Sequence, residues 1–160
     1  MHMKWVIFRH GEKQKEGFDP ELSAVGHDQS KKILAKVKAK KLPKPSVIYV
    51  STKKRTWQTL EPLATACGLK PIIKAELTER VPGENIEKFR FRIQEFLVKM
   101  ILLHNDNDVI YFCSHYDWIE EFLTIIESDS DLSRCNHWPS AQHMVFEKND
   151  VWTLTQYEGI

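Results

Sequence analysis

The sequence predicts a three-layer α/β/α fold, with helices on both faces of a mainly parallel central sheet and an antiparallel hairpin at one edge. Short apolar runs alternate with amphipathic segments over most of the chain, which is typical of parallel strands joined by helices. Two further apolar runs near the C-terminus flank a polar turn and indicate the hairpin. The 160 residues, 42% of them hydrophobic, suit one core, so we expect a single domain over residues 1–160.

Two strands and two helices are predicted in the first half of the chain. In order they are a buried strand over 5–8, a helix over 24–40, a strand over 47–50 and a helix over 54–67. Ser23 has the position and the side chain of an N-cap for the first helix. Gly68 closes the second helix, and Pro62 lies in the middle of it.

The second half repeats the alternation and then ends in the hairpin. Its predicted elements are a short strand at 72–73, a long amphipathic helix over 86–101, a strand over 109–113, a helix over 119–126 and hairpin strands over 144–146 and 151–154. Asp117 and Glu120 have the spacing of a capping box at the start of the fourth helix. Asn149 and Asp150 form the predicted turn of the hairpin.

Composition excludes several classes of partner. Lys and Arg number 23 against 22 Asp and Glu, a formal charge of +1, so no overall field favours nucleic acid or an anionic membrane surface. Three separated cysteines without a CxxC pair do not form a disulfide framework and fit a reducing compartment. No apolar run approaches the ~20 residues of a membrane helix. Since a cleaved leader would remove Arg9 and His10, we expect a cytoplasmic protein.

Unusual polar residues follow three of the predicted parallel strands. The segments are Arg9-His10-Gly11-Glu12, Ser51-Thr52-Lys53-Lys54-Arg55-Thr56 and Ser114-His115-Tyr116-Asp117. In open parallel sheets, ligands bind beyond the carboxyl ends of the strands. Two histidines and two arginines are therefore expected at one edge of the sheet.

This set of side chains has the chemistry of phosphoryl transfer. Guanidinium groups bind the non-bridging oxygens of a phosphoryl group, and a neutral imidazole nitrogen can attack its phosphorus. Helices that begin after Lys54 and His115 would direct backbone N–H groups toward the same anion. The scheme needs neither a metal nor a cofactor. His27, His104, His137 and His143 show no zinc-ligand spacing.

Four motifs in order resemble those of the histidine phosphatase superfamily, also called the phosphoglycerate mutase-like family. They are Arg9-His10-Gly11, Leu22-Ser23-Ala24-Val25-Gly26, the segment from Ser51 to Thr59, and Ser114-His115. Two positions depart from the pattern. Thr52 stands where the family has proline, and Tyr116 stands where glycine usually follows the late histidine.

The resemblance implies a role for each matched residue. His10 would be the nucleophile that becomes phosphorylated, and Arg9, Arg55 and His115 would form the phosphate pocket. Glu79 lies in Leu77-Thr78-Glu79-Arg80, which is similar to the segment that holds the general acid in many members. Gly11, Ser51 and Tyr116 are further candidates for substrate contact. The short stretch between Glu79 and the next helix implies a compact, open site, as in phosphohistidine phosphatase SixA.

Three functions remain as hypotheses. The first is a metal-independent phosphatase for a phosphorylated small molecule or phosphoprotein, and the second is a mutase that returns the phosphoryl group to a sugar acid. The third is a non-catalytic phosphate-binding module. Some side chains also have structural interpretations: Glu79 paired with Arg80 at the surface, Trp118 and Trp138 packed in the core, and Ser51 and Ser114 in turns.

Overall fold

The computed structural model describes all of residues 1–160. It has six strands and four α-helices in the order β1 Lys4–Arg9, α1 Ala24–Lys38, β2 Val47–Val50, α2 Lys54–Ala66, β3 Ile72–Ile73, α3 Ile86–Leu103, β4 Val109–Ser114, α4 Tyr116–Ile125, β5 His143–Lys148 and β6 Trp152–Glu158. A short 3-10 helix, Ala75–Leu77, follows β3. The predicted alternation of strands and helices is confirmed.

The strands form one sheet in the order β3-β2-β4-β1-β5-β6. The first four strands of this order run parallel, and β5 pairs antiparallel with both β1 and β6. The predicted hairpin therefore lies at the edge. Because β2, β4 and β1 are neighbours, the segments after Val50, Ser114 and Arg9 emerge side by side.

Two apolar cores lie on opposite faces of the sheet. Alternate residues of β1 separate between them: Trp5 and Ile7 face the core under α3 and α4, whereas Val6 and Phe8 face the core under α1 and α2. Nearly continuous apolar strands are expected where helices cover both faces of a sheet. The three-layer α/β/α fold is confirmed.

Helix ends agree with the sequence in some places and differ in others. Ser23 Oγ accepts from Gly26 N, as its N-cap position predicts, but α1 ends at Lys38 rather than Lys40, since Lys40 has a φ of 59°. Pro62 lies inside a continuous α2. Gly68, with a φ of +67°, takes the left-handed conformation that closes this helix.

The predicted capping box at Asp117 is wrong. Helix α4 begins at Tyr116 with His115 as its N-cap, so Asp117 already lies within the first turn. Its Oδ2 instead accepts from Arg80 N at 3.0 Å. The carboxylate thus fastens the loop after Glu79 to the start of α4.

Two global properties complete the description. None of the four helices is both long and apolar enough to cross a membrane. Cys67, Cys113 and Cys135 are all free thiols.

Candidate active site

His10, Arg55 and His115 meet at the carboxyl edge of the sheet. All three are buried, with 5%, 6% and 3% of their surface exposed. Arg55 connects the two histidines: its Nε donates to His10 Nε2 at 3.2 Å, and its Nη2 lies 3.4 Å from His115 Nδ1. The rings of the two histidines lie 5.3 Å apart, centre to centre. Strand order therefore assembles the cluster that the sequence predicts.

The hydrogen bonds of His10 determine which nitrogen can react. Nδ1 lies 2.7 Å from the carbonyl oxygen of Gly11, which can only accept, so Nδ1 carries the proton. Nε2 then holds a lone pair, consistent with its acceptance of the Arg55 Nε–H. Burial, with lesser effects of Arg55, Arg9 and Lys13, lowers the pKa of His10 to about 4. At neutral pH the imidazole is uncharged and nucleophilic at Nε2.

His115 has the opposite arrangement of its nitrogens. Arg55 can only donate, so His115 Nδ1 is the acceptor, and Nε2–H donates to Ser51 Oγ at 2.9 Å. Ser51 is fully buried, and its hydroxyl also lies 3.1 Å from Thr56 Oγ1. Burial, then the charges of His10 and Arg55, lower the pKa of His115 to about 2. Ser51 thus positions His115 with its Nδ1 toward the cluster.

Two carboxylates contact the exposed side of the Arg55 guanidinium. Glu79 Oε1 and Oε2 each lie 3.3 Å from Arg55 Nη2, and Glu79 Oε2 lies 3.9 Å from His115 Nδ1. Asp19 Oδ1 lies 3.9 Å from Arg55 Nη1 and also accepts from the backbone N–H of Lys54. Glu79 is therefore part of the cluster rather than paired with Arg80. Asp19 is a member that the sequence did not reveal.

Arg9 lies beside the cluster, but its side chain donates no hydrogen bond to His10, Arg55 or His115. Its Nη1 donates to the carbonyl oxygen of Trp138, and the guanidinium carbon lies 5.5 Å from the centre of the Tyr116 ring. The buried Nε of Arg9 has no hydrogen-bond partner in the structure. An unpaired buried donor is costly, and the charge of Arg9 also contributes to lowering the pKa of His10.

The segment that carries His10 is fixed by close backbone packing. Gly11 N donates to Thr59 Oγ1 at 2.8 Å, so this N–H is already used within the protein. A Cβ at Gly26 would lie 2.1 Å from the carbonyl oxygen of Glu12, so only glycine allows α1 to approach this closely. Ser23 N donates to the same carbonyl at 2.9 Å. The motif from Leu22 to Gly26 therefore holds the loop after Arg9-His10-Gly11 in position.

The segment that carries Glu79 is also held in place. Ser114 Oγ donates to the carbonyl oxygen of Leu77, and Thr52 Oγ1 lies 3.1 Å from Thr78 Oγ1. Arg92 of α3 donates to the carbonyl oxygens of Glu76 and Thr78 at 2.8 and 2.9 Å. The threonine that replaces the proline of the motif thus joins the Arg55 loop to the Glu79 segment.

The aromatic residues near the predicted site lie outside the cluster of His10, Arg55 and His115. Trp118 is fully buried in the core under α3 and α4, and Trp138 is 3% exposed, which agrees with packing for both. Tyr116 is 38% exposed beside Arg9. No group of three or more histidine, cysteine, aspartate or glutamate side chains is arranged to hold a metal ion.

Comparison with known families agrees with this geometry. The sequence profile described as histidine phosphatase superfamily (branch 1) matches residues 5–84, which is half of the chain and includes Arg9, His10, Arg55 and Glu79. The chain belongs to the histidine phosphatase superfamily. His115 lies beyond the matched residues, but the structure places it in contact with Arg55. No curated protein sequence matches the chain.

Solved structures with the same fold include several phosphatases. A phosphoserine phosphatase from Entamoeba histolytica, in complex with 3-phosphoglyceric acid, is 16% identical with a TM-score of 0.76, covering 99% of this chain and 98% of its own. A putative phosphohistidine phosphatase SixA from Agrobacterium tumefaciens is 18% identical with a TM-score of 0.75, covering 98% and 97%. A mycobacterial glucosyl-3-phosphoglycerate phosphatase is 14% identical with a TM-score of 0.76, covering 100% of both chains. These similarities show the shared fold of this histidine phosphatase superfamily member.

Proposed function

We propose that this chain is a metal-independent phosphatase that hydrolyses a phosphomonoester or a phosphohistidine through a phospho-His10 intermediate. The observation that carries the proposal is the hydrogen bond from His10 Nδ1 to the Gly11 carbonyl, which leaves the Nε2 lone pair facing Arg55. A buried, neutral imidazole with a fixed tautomer is suited to nucleophilic attack on phosphorus. The substrate is a phosphorylated small molecule or a phosphoprotein.

Binding of the phosphoryl group begins with Arg55. Its bonds to His10, Glu79 and Asp19 would be replaced by bonds to the equatorial oxygens of the phosphoryl group. Arg9 supplies a second guanidinium beside this site, where its charge contributes to lowering the pKa of His10. Charge on these oxygens is the main feature that a phosphoryl-transfer enzyme must stabilise.

The transfer then takes place in two steps. In the first, a bond forms between His10 Nε2 and phosphorus while the bond from phosphorus to the leaving oxygen or nitrogen breaks. Glu79, once displaced from Arg55 and in its protonated form, gives that proton to the leaving atom. In the second step water attacks phosphorus while the bond from phosphorus to His10 Nε2 breaks. Glu79 takes the proton that the water loses, and inorganic phosphate is released.

Replacement of the nucleophile tests the proposal directly. With 4-nitrophenyl phosphate and EDTA, the unaltered protein is expected to turn over, and His10→Ala is expected to lose at least about 10³-fold in kcat/KM. His27→Ala, which removes an exposed histidine outside the cluster, serves as the matched control and is expected to keep full activity. Mass spectrometry of protein quenched during turnover should find one phosphoryl group on the peptide that contains His10.

Other outcomes would contradict the proposal. Retained turnover in His10→Ala, or a phosphoryl group on a different residue, excludes His10 as the nucleophile. Isomerisation of a phosphoglycerate without release of phosphate would indicate a mutase. Binding of phosphate without turnover of any aryl phosphate, sugar phosphate or phosphohistidine peptide would indicate a binding module.

A further inference from the structure

A groove of about 350 Å³ lies between α4 and the irregular segment before β5. Its lining includes Tyr116, Glu120 and Leu123 from the helix and Leu132, Cys135 and Trp138 from the segment. On α4, residues 116, 120, 123 and 124 follow one another at the spacing of a single helical face. Eight residues of helix correspond to about 12 Å, so the groove is long enough for an extended organic group.

The groove begins at the active site. Tyr116 and Trp138 both line it, and both also contact Arg9: the Tyr116 ring lies over the guanidinium, and the Trp138 carbonyl accepts from Nη1. A ligand bound to Arg9 through its phosphoryl group therefore lies directly next to the mouth of the groove.

The groove also lies beside the helix end that the Glu79 segment contacts. Glu79, which protonates the leaving atom in the proposed reaction, contacts His115, the N-cap of α4. The backbone N–H of the next residue, Arg80, donates to Asp117 in the first turn of the same helix. Glu79 and Tyr116 are therefore held beside the same helix end.

The lining indicates what the groove can accept. Leu123, Leu132, Cys135 and Trp138 supply its apolar surface, and Thr124, Ser133 and Asn136 supply neutral polar surface. Glu120 is the only charged residue that lines it. The lysines that affect the histidines electrostatically, Lys13 and Lys53, are absent from this lining. Among the lining residues a second phosphate or carboxylate would meet a carboxylate and no cation, whereas an aromatic or aliphatic body would bury apolar surface.

We propose that this groove binds the leaving group of the substrate, and that this leaving group is an aromatic or branched aliphatic alcohol without a second anionic group. The inference rests on the proposed phosphatase function and adds a substrate class to it. Tyr116 and Glu120 then determine specificity: Tyr116 at the entrance contacts the first ring or branch, and Glu120 disfavours acids. Phosphoglycerates and other phosphorylated acids are poor substrates on this basis.

Matched aryl phosphates test the size of the groove. The unaltered protein is expected to prefer 4-biphenylyl phosphate over phenyl phosphate by about tenfold or more in kcat/KM, because the second ring is buried only if the groove receives it. Leu123→Ala and Leu132→Ala are each expected to reduce this preference severalfold. A preference near one in the unaltered protein overturns the inference.

A charge reversal tests Glu120. A biphenylyl phosphate with a carboxylate on the distal ring is expected to be a poorer substrate than the parent compound, and Glu120→Lys is expected to reverse this order. Glu127→Lys makes the same charge change at an exposed position outside this groove and should leave the order unchanged. Equal behaviour of the two lysine variants contradicts a role for Glu120.

Binding measurements separate this inference from the proposed function. Calorimetry with phenylphosphonate and 4-biphenylylphosphonate needs no turnover and is expected to give the same tenfold preference. If the protein binds the biphenylyl compound more tightly but hydrolyses no phosphate ester, the groove proposal stands and the phosphatase proposal fails. If hydrolysis depends on His10 but neither kcat/KM nor binding changes with the second ring, the phosphatase proposal stands and the groove proposal fails.

Discussion

His10 and His115 directly follow neighbouring strands, but their hydrogen bonds present different nitrogens to the cluster. His10 uses Nδ1 for the Gly11 carbonyl and offers Nε2, whereas His115 uses Nε2 for Ser51 and offers Nδ1. Arg55 donates to both of the offered nitrogens. The backbone carbonyl beside His10 and the hydroxyl beside His115 thus set the tautomer of each ring.

Glu79 has a testable role at the same scale. Glu79→Gln keeps a side chain of similar shape but removes the proton donor, so the penalty should depend on the leaving group. We expect about 10²-fold loss in kcat/KM for an alkyl phosphate and severalfold loss at most for 4-nitrophenyl phosphate, whose phenolate leaves without protonation. Steady-state kinetics on the two substrates measures the difference. Equal losses would mean that Glu79 acts only by orienting Arg55.

Residues at strand ends could be predicted from the sequence, and residues that reach the cluster through loops could not. His10, Arg55 and His115 follow apolar strands, so topology alone brings them together. Asp19 enters from an irregular loop whose path depends on the bridge between Lys13 and Leu22. In the sequence Arg92 is one of several charged residues of an amphipathic helix. Its hydrogen bonds to the Glu79 segment depend on how α3 packs against the rest of the protein.

At the scale of elements, the cluster depends on how closely α1 approaches the loop after β1. The carbonyl oxygen of Glu12 lies against Gly26, and Ser23 caps the helix while donating to that same carbonyl. The Leu-Ser-x-x-Gly motif therefore allows α1 to pack closely against the loop after β1. Its serine starts the helix, and its glycine allows the nucleophile loop to rest on the first turn.

Gly26→Ala tests this contact. The added methyl group would lie 2.1 Å from a backbone oxygen, so either α1 or the loop that holds His10 must move. We expect a loss of about 1 to 3 kcal/mol in the free energy of unfolding and a fall in kcat/KM of tenfold or more. Val25→Ile, which enlarges the exposed neighbouring residue, is the control for urea denaturation and kinetics. Unchanged activity in Gly26→Ala would show that the loop position does not depend on α1.

At the scale of the whole molecule, burial of histidines links the active site to global stability. His143 of β5 is fully buried against Phe8, and its Nδ1 lies 3.1 Å from the carbonyl of Ala141. Ala141 N in turn donates to the carbonyl oxygen of His10. Burial, partly opposed by the bond to Ala141, lowers the pKa of His143 to about 4. Three histidines, His10, His115 and His143, are thus kept neutral by the folded state.

Stability is therefore expected to fall as the pH is lowered. An unfolded histidine binds a proton below a pH of about 6.5, whereas His143 in the folded chain does so only near 4, so the unfolded state binds more protons between these values. The free energy of unfolding is therefore highest above pH 6.5, and His143 alone should lower it by about 2 kcal/mol between pH 7 and 5. Urea denaturation at these two pH values is expected to show a smaller decrease for His143→Gln than for the unaltered protein. His27→Gln, at an exposed position, should behave like the unaltered protein. An equal decrease in all three proteins would mean that His143 does not stay neutral in the folded state.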